Sequence, residues 1–135
     1  MAYRIADIEG VGPVAAAALS KAGSKTVEQM LEQGASPKGR KAMAESTGID
    51  AGKILDWVNM ADLFRIKGVG TQFAELLKAA GIDTVVELSK RKPDNLTTKL
   101  SEVNTAKKLV RQVPAEKVVA SWVAQAKTLP RVVKY

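Results

Sequence analysis

The sequence predicts an all-α protein built as two pseudo-repeats of short helices, and three observations lead there. Apolar residues recur at spacings of three and four, as in Ile54, Leu55, Val58 and Ala61, and again in Phe73, Leu76, Leu77 and Ala80. That period gathers side chains on one face of a helix. Strand alternation is scarce, and the β-rich stretch is confined to Val132-Val133 in the tail. Gly and Pro fall between the periodic segments, where helices must end and begin. The chain has 135 residues, 46% hydrophobic but 4% aromatic, so its core must be aliphatic.

Taken in order, a first turn covers Tyr3 to Ile8 and breaks at Gly10-Val11-Gly12. Pro13 suits the first position of the next helix, where its missing N–H costs nothing, and Gly23 ends that helix after Ala22. Thr26-Val27-Glu28-Gln29 has capping-box spacing, and Gly34 closes the short helix it opens. Ser36-Pro37 starts another, ending near Gly48. Asp50 caps a longer one that runs through Trp57 to about Leu63. After the break at Gly68-Val69-Gly70, a helix runs from Thr71 to Ala80 and Gly81 stops it. Thr84-Val85-Val86-Glu87 is a second capping box. Pro93 starts a helix kinked near Asn104, Pro114 starts the last, through Trp122 to Lys127, and Pro130 ends the ordered part. This makes about nine or ten helices.

Composition narrows the chemistry. There is no Cys and no His, so disulfides, thiolate nucleophiles, Cys-type zinc sites and imidazole acid–base catalysis are excluded. Asp7, Glu9, Asp56 and Asp62 form no spaced acidic motif and read as capping or solvated carboxylates. The sequence predicts no enzyme and no metal site. The start, Met1 to Glu9, is charged and lacks an apolar leader, and no apolar run approaches membrane-spanning length. The expected location is therefore cytoplasmic.

Charge is unevenly distributed. Residues 1–62 carry seven Lys/Arg against eight Asp/Glu, whereas residues 63–135 carry fourteen against six, so the net +7 lies wholly in the second half. A one-sided excess attracts polyanions.

The halves also match each other. Ile8-Glu9-Gly10-Val11-Gly12 corresponds to Ile66-Lys67-Gly68-Val69-Gly70, 58 residues on. At that offset Ala16 meets Ala74, Leu19 meets Leu77, Ala22-Gly23 meets Ala80-Gly81, and Thr26-Val27 meets Thr84-Val85. Trp57-Val58 pairs with Trp122-Val123 at an offset of 65. Repeats often exist to bury each other's apolar faces. The two Trp, set among Val and Ala on periodic helices, read as packing anchors.

The repeated unit is a short helix, a two-glycine hairpin and a second helix. Glycines permit positive φ and close backbone approach. Residues after the second glycine bare N–H groups at a helix N-terminus, which favours an anion. Ile8, Gly10, Val11, Gly12, Ala16 and Leu19, then Ile66, Gly68, Val69, Gly70, Ala74 and Leu77, resemble the helix-hairpin-helix family of DNA-binding motifs. The whole chain resembles an uncharacterised bacterial family of tandem helix-hairpin-helix proteins, a domain of unknown function. The resemblance implies a fold of the SAM-like/helix-hairpin-helix type. It also implies hairpin amides that contact phosphates without sequence preference. No cofactor is expected beyond the monovalent cation that hairpin carbonyls hold in some members of the motif family.

The two hairpins are not equal. Glu9 repels phosphate and Pro13 lacks an N–H, so Gly10, Val11 and Gly12 read as a structural hairpin. In the second, Lys67 replaces the acid, and Gly68, Val69, Gly70, Thr71 and Gln72 supply amides, with Lys78 one to two turns on. Lys90, Arg91 and Lys92, then Lys107, Lys108 and Arg111, extend a candidate phosphate strip, and Lys127, Arg131 and Lys134 form a further basic group. No aromatic residue is interleaved among them, which argues against single-strand stacking. The expected partner is the backbone of duplex or branched DNA. The alternative is a protein-interaction or self-assembly module without a nucleic-acid role, using the alanine-rich helix from Val14 to Leu19 or a tail exposed as a hook for another subunit. Expected boundaries are 1–63 for the first repeat, 64–129 for the second and 130–135 for the tail, with the repeats sharing one body.

Overall fold

The computed structural model describes residues 3–135. Met1 and Ala2, part of the start read above as lacking a leader, lie outside the described residues. The protein is all-helical. Among the described residues there are eight α-helices and one 3-10 turn, Ile5–Asp7. There is no strand, and β-pairing is limited to an isolated antiparallel bridge between Arg4 and Thr26. The chain divides into two compact units, residues 1–62 with 132–135, and residues 63–131.

The first unit holds α1 (Gly12–Lys21), α2 (Val27–Gln33), α3 (Pro37–Thr47) and α4 (Ala51–Leu63), the last residue of α4 belonging to the second unit. Local chemistry sets most of the ends. Gly23, at φ 101°, closes α1: the Ser24 N–H donates to Leu19 C=O and the Gly23 N–H to Ser20 C=O, a Schellman cap. Thr26 and Gln29 form the full reciprocal box, Gln29 N–H to Thr26 Oγ1 at 3.1 Å and Thr26 N–H to Gln29 Oε1 at 3.2 Å. Ser36 Oγ accepts from Gly39 N–H, and Asp50 Oδ2 from Gly52 N–H. The 3-10 turn packs on α1 and α2, and α3 packs on both helices. Ile5, Ile8, Leu19, Met30, Ile54 and Val58 form the centre of the core.

The tail is not an exposed hook. Val133 is buried, and the Lys134 N–H donates to Ala35 C=O at 2.7 Å. The guanidinium of Arg40, itself buried, donates through Nη1 to Gly34 C=O and through Nη2 to Lys134 C=O, each at 2.8 Å. The backbone of the tail thus finds partners in the α2–α3 corner, as buried peptide groups must.

The second unit holds α5 (Thr71–Ala79), α6 (Val85–Ser89), α7 (Pro93–Lys107) and α8 (Glu116–Thr128). α8 packs on α6 and α7, and α7 also packs on α5. Two local expectations, the second capping box and the start of the last helix, are corrected. At α6, Thr84 Oγ1 accepts from Glu87 N–H, but Glu87 Oε1 turns away to accept from Arg91 Nη2 at 3.0 Å, so only half of the box forms. α7 is assigned continuously through Asn104, whose amide pairs with the Val110 backbone, Nδ2 to C=O at 3.0 Å and N–H to Oδ1 at 2.9 Å. α8 starts at Glu116 rather than at Pro114, with Ala115 in the extended N-cap conformation.

α7 ends on Lys108, which sits in the left-handed region at φ 52°, ψ 49°. A side chain there costs about 1 kcal/mol that glycine avoids. Lys108→Gly is expected to raise stability by about 0.5 kcal/mol after the added freedom of the unfolded chain is counted. A urea melt showing a loss would contradict that strain.

Candidate functional site

Several backbone hydrogen bonds around the two glycine segments correspond. Ile8 N–H donates to Ile5 C=O and Val11 N–H to Ile8 C=O; 58 residues on, Ile66 donates to Leu63 and Val69 to Ile66. The caps of α1 and α5 are equally matched, with Ser24 to Leu19 and Ile82 to Leu77. In each unit a tryptophan lies against the first glycine of the hairpin. A Cβ at Gly10, φ 91°, would sit 3.8 Å from Trp57 Nε1, and one at Gly68, φ 96°, would sit 3.1 Å from Trp122 Nε1. Both glycines have positive φ, and at Gly68 the ring also approaches more closely than a side chain would comfortably allow.

The hairpins diverge at the second glycine. Gly12 has φ 71° and begins α1, whereas Gly70 is extended at φ −110°, ψ −160° and serves as the N-cap of α5. Positive φ is therefore required at three of the four hairpin glycines and not at Gly70.

In the second unit, Ile66 and Val69 are buried, each 1% exposed. Their anchoring leaves Lys67, Gly68 and Gln72 exposed on the opposite side. The Lys67 N–H, however, is not open: it donates to Gln125 Oε1 at 2.9 Å, and Gln125 Nε2 donates back to Lys67 C=O at 3.2 Å. Lys67 can therefore meet an anion through its ammonium but not through its amide. Among the described residues the N–H groups of Gly68, Gly70 and Gln72 donate to no other group. Those of Gly70 and Gln72 lie at the N-terminus of α5, the positive end of its dipole. Thr71 is half-buried at the first helical position.

The other predicted residues are spread over the second unit. Lys78 lies in the last turn of α5, about 10 Å along the axis from the hairpin end. Lys90, Arg91 and Lys92 lie between α6 and α7, and Arg91 is held by Glu87, 3.0 Å away. Lys107 and Lys108 end α7, where the dipole favours cations without any ligand, and Arg111 is exposed in the following connection. Gln125 escaped sequence reasoning. The signal was a polar residue on α8 beside the buried stripe Val119, Trp122, Val123 and Ala126.

In the first unit, Glu9 is exposed at the hairpin, and the position matching Gln125 at the tryptophan offset is the buried Met60. An open groove of about 640 Å³ lies beside the 3-10 turn, lined by Ile5, Ala6, Ala16 and Ala17 with Arg4 and Lys25. Among the described residues no cluster of His, Cys, Asp or Glu could hold a metal ion, and no helix is long and apolar enough to cross a membrane. The carbonyls of Ile66, Lys67 and Gly70 each already accept a hydrogen bond from the chain.

Comparison with curated proteins and with solved structures returned no match. A family model described as Domain of unknown function (DUF4332) matches residues 9–129. Since that span takes in both hairpins, both tryptophan helices and most of the chain, the protein belongs to the DUF4332 family.

Proposed function

We propose that this protein is a tandem helix-hairpin-helix protein that binds the backbone of duplex or branched DNA without reading its sequence. The observation that carries the proposal is the exposed second hairpin. Unengaged N–H groups of Gly68, Gly70 and Gln72 follow the exposed Lys67 in the chain, within the unit that holds the excess of positive charge. Backbone amides at a helix N-terminus grip a phosphate with no base contact. Lys90, Lys92, Lys107, Lys108 and Arg111 add exposed cations in the same unit, and Arg91 contributes less because Glu87 already neutralises it. The matched hydrogen bonds at the two hairpins support the tandem motif. The first hairpin, with Glu9 and Pro13, serves packing. No catalytic role is proposed.

The test is a titration of duplex, single-stranded and four-way-junction DNA at two salt concentrations, with mass measured in parallel. With about four phosphate contacts, affinity is expected to fall about a hundredfold between about 50 and 200 mM salt. The double change Lys67→Glu, Thr71→Pro should abolish binding and leave helicity intact. Proline is tolerated at the first helical position, and the extended Gly70 before it is compatible with proline. Glu9→Gln and Pro13→Ala should change little. Unaltered binding by the double variant would remove the hairpin from the mechanism.

A second reading, an assembly module, draws on Val14, which is 83% exposed on α1. An apolar interface through that helix would hold or tighten as salt rises, and the mass measurement would register a complex without DNA.

A further inference from the structure

Gln125 pairs with the backbone of Lys67 as a neighbouring strand would. It accepts the residue's N–H and donates to its C=O, while Nε2 also lies 3.4 Å from Ser121 Oγ. The consequence falls on the next residue. The peptide bond joining Lys67 to Gly68 is trans, so the Lys67 C=O and the Gly68 N–H point in opposite directions. Drawing the carbonyl toward α8 turns the Gly68 N–H away from α8. Trp122, one turn earlier on the same helix, presses on Gly68 from that side, where a Cβ would lie 3.1 Å from the indole nitrogen. The two side chains hold the hairpin from behind. Gly68 is exposed, and its N–H meets no acceptor among the described residues.

From this we infer that Gln125 is a positioning residue that aims the Gly68 amide at a phosphate of the nucleic-acid backbone. The inference rests on the reading that the second hairpin takes phosphate. It also names a difference between the repeats that the hairpin residues do not show. The first hairpin has Met60 at the equivalent position, buried in the core, and methionine cannot make the paired hydrogen bonds of an amide.

The full-length protein would be titrated with a labelled duplex of about 20 base pairs at low salt, alongside Gln125→Ala, Gln125→Glu and the Lys67→Glu, Thr71→Pro double variant. Amide spectra would be recorded with and without DNA. Gln125→Ala should weaken binding about tenfold, the loss of one oriented amide–phosphate bond. It should also speed hydrogen exchange at Lys67 and abolish the response of the Gly68 amide to DNA. Gln125→Glu keeps the shape but loses the donor and adds a negative charge, so it should bind more weakly still at about pH 7. Protonating that carboxyl restores the donor and removes the charge. Relative to wild type titrated in parallel, its affinity should therefore recover toward about pH 4, a rescue that a merely structural side chain would not give. If Gln125→Ala binds as wild type while the hairpin double variant loses binding, Gln125 has no positioning role and the phosphate reading stands. If the double variant also binds as wild type, the hairpin reading itself fails, and this inference with it.

Discussion

Replacing Trp122 by alanine is expected to cost about 3–5 kcal/mol of stability, the range for deleting a fully buried aromatic. The ring is 1% exposed, lies on α8 between Val119 and Ala126, and meets Phe73 of α5 at 5.3 Å between centroids with a 55° tilt. Tilted aromatic pairs add about 1 kcal/mol beyond area burial. The indole also fills the space against Gly68, so its loss should loosen the hairpin before the unit unfolds. At roughly 0.05–0.15 kcal/mol per residue, a unit of this size has about 3–10 kcal/mol in total, so the loss takes a large share of it. Urea unfolding followed by circular dichroism measures the loss, while Trp57 reports separately by fluorescence. A change under about 1 kcal/mol would mean that the core of the unit lies elsewhere.

Arg40→Ala should cost about 2–4 kcal/mol, because two charge-assisted hydrogen bonds disappear and two carbonyls are left without their partner. Gly34 C=O and Lys134 C=O, each 2.8 Å from the guanidinium, are the groups affected. Arg40→Lys should recover little. A single ammonium cannot span two acceptors that the planar fork of arginine reaches with separate nitrogens. The tail should detach first, seen as fast hydrogen exchange at Lys134, whose N–H donates to Ala35 in the intact protein. Slow exchange persisting in Arg40→Ala would show that Val133 burial alone holds the tail.

Both predictions rest on residues that sequence reasoning treated differently. Trp122 was legible as a packing anchor because it sits on a helical apolar stripe, a pattern carried by its near neighbours along the chain. Arg40 was not singled out, since its partner at Lys134 is 94 positions away and nothing local sets a buried arginine apart from a solvated one.

The sequence by itself determined the helical class and most helix boundaries. Those properties are local: Thr26 and Gln29 form their box across one turn, and Gly23 and Gly81 stop their helices through their own φ freedom. Only the tertiary structure decided which amides of the second hairpin are open. The Lys67 N–H is taken by Gln125, 58 residues on, and Arg91 is drawn to Glu87 instead of standing free. Packing also settled where the tail goes. A hydrogen bond between distant segments depends on which faces the core brings together, and that choice belongs to the whole chain rather than to any window of it.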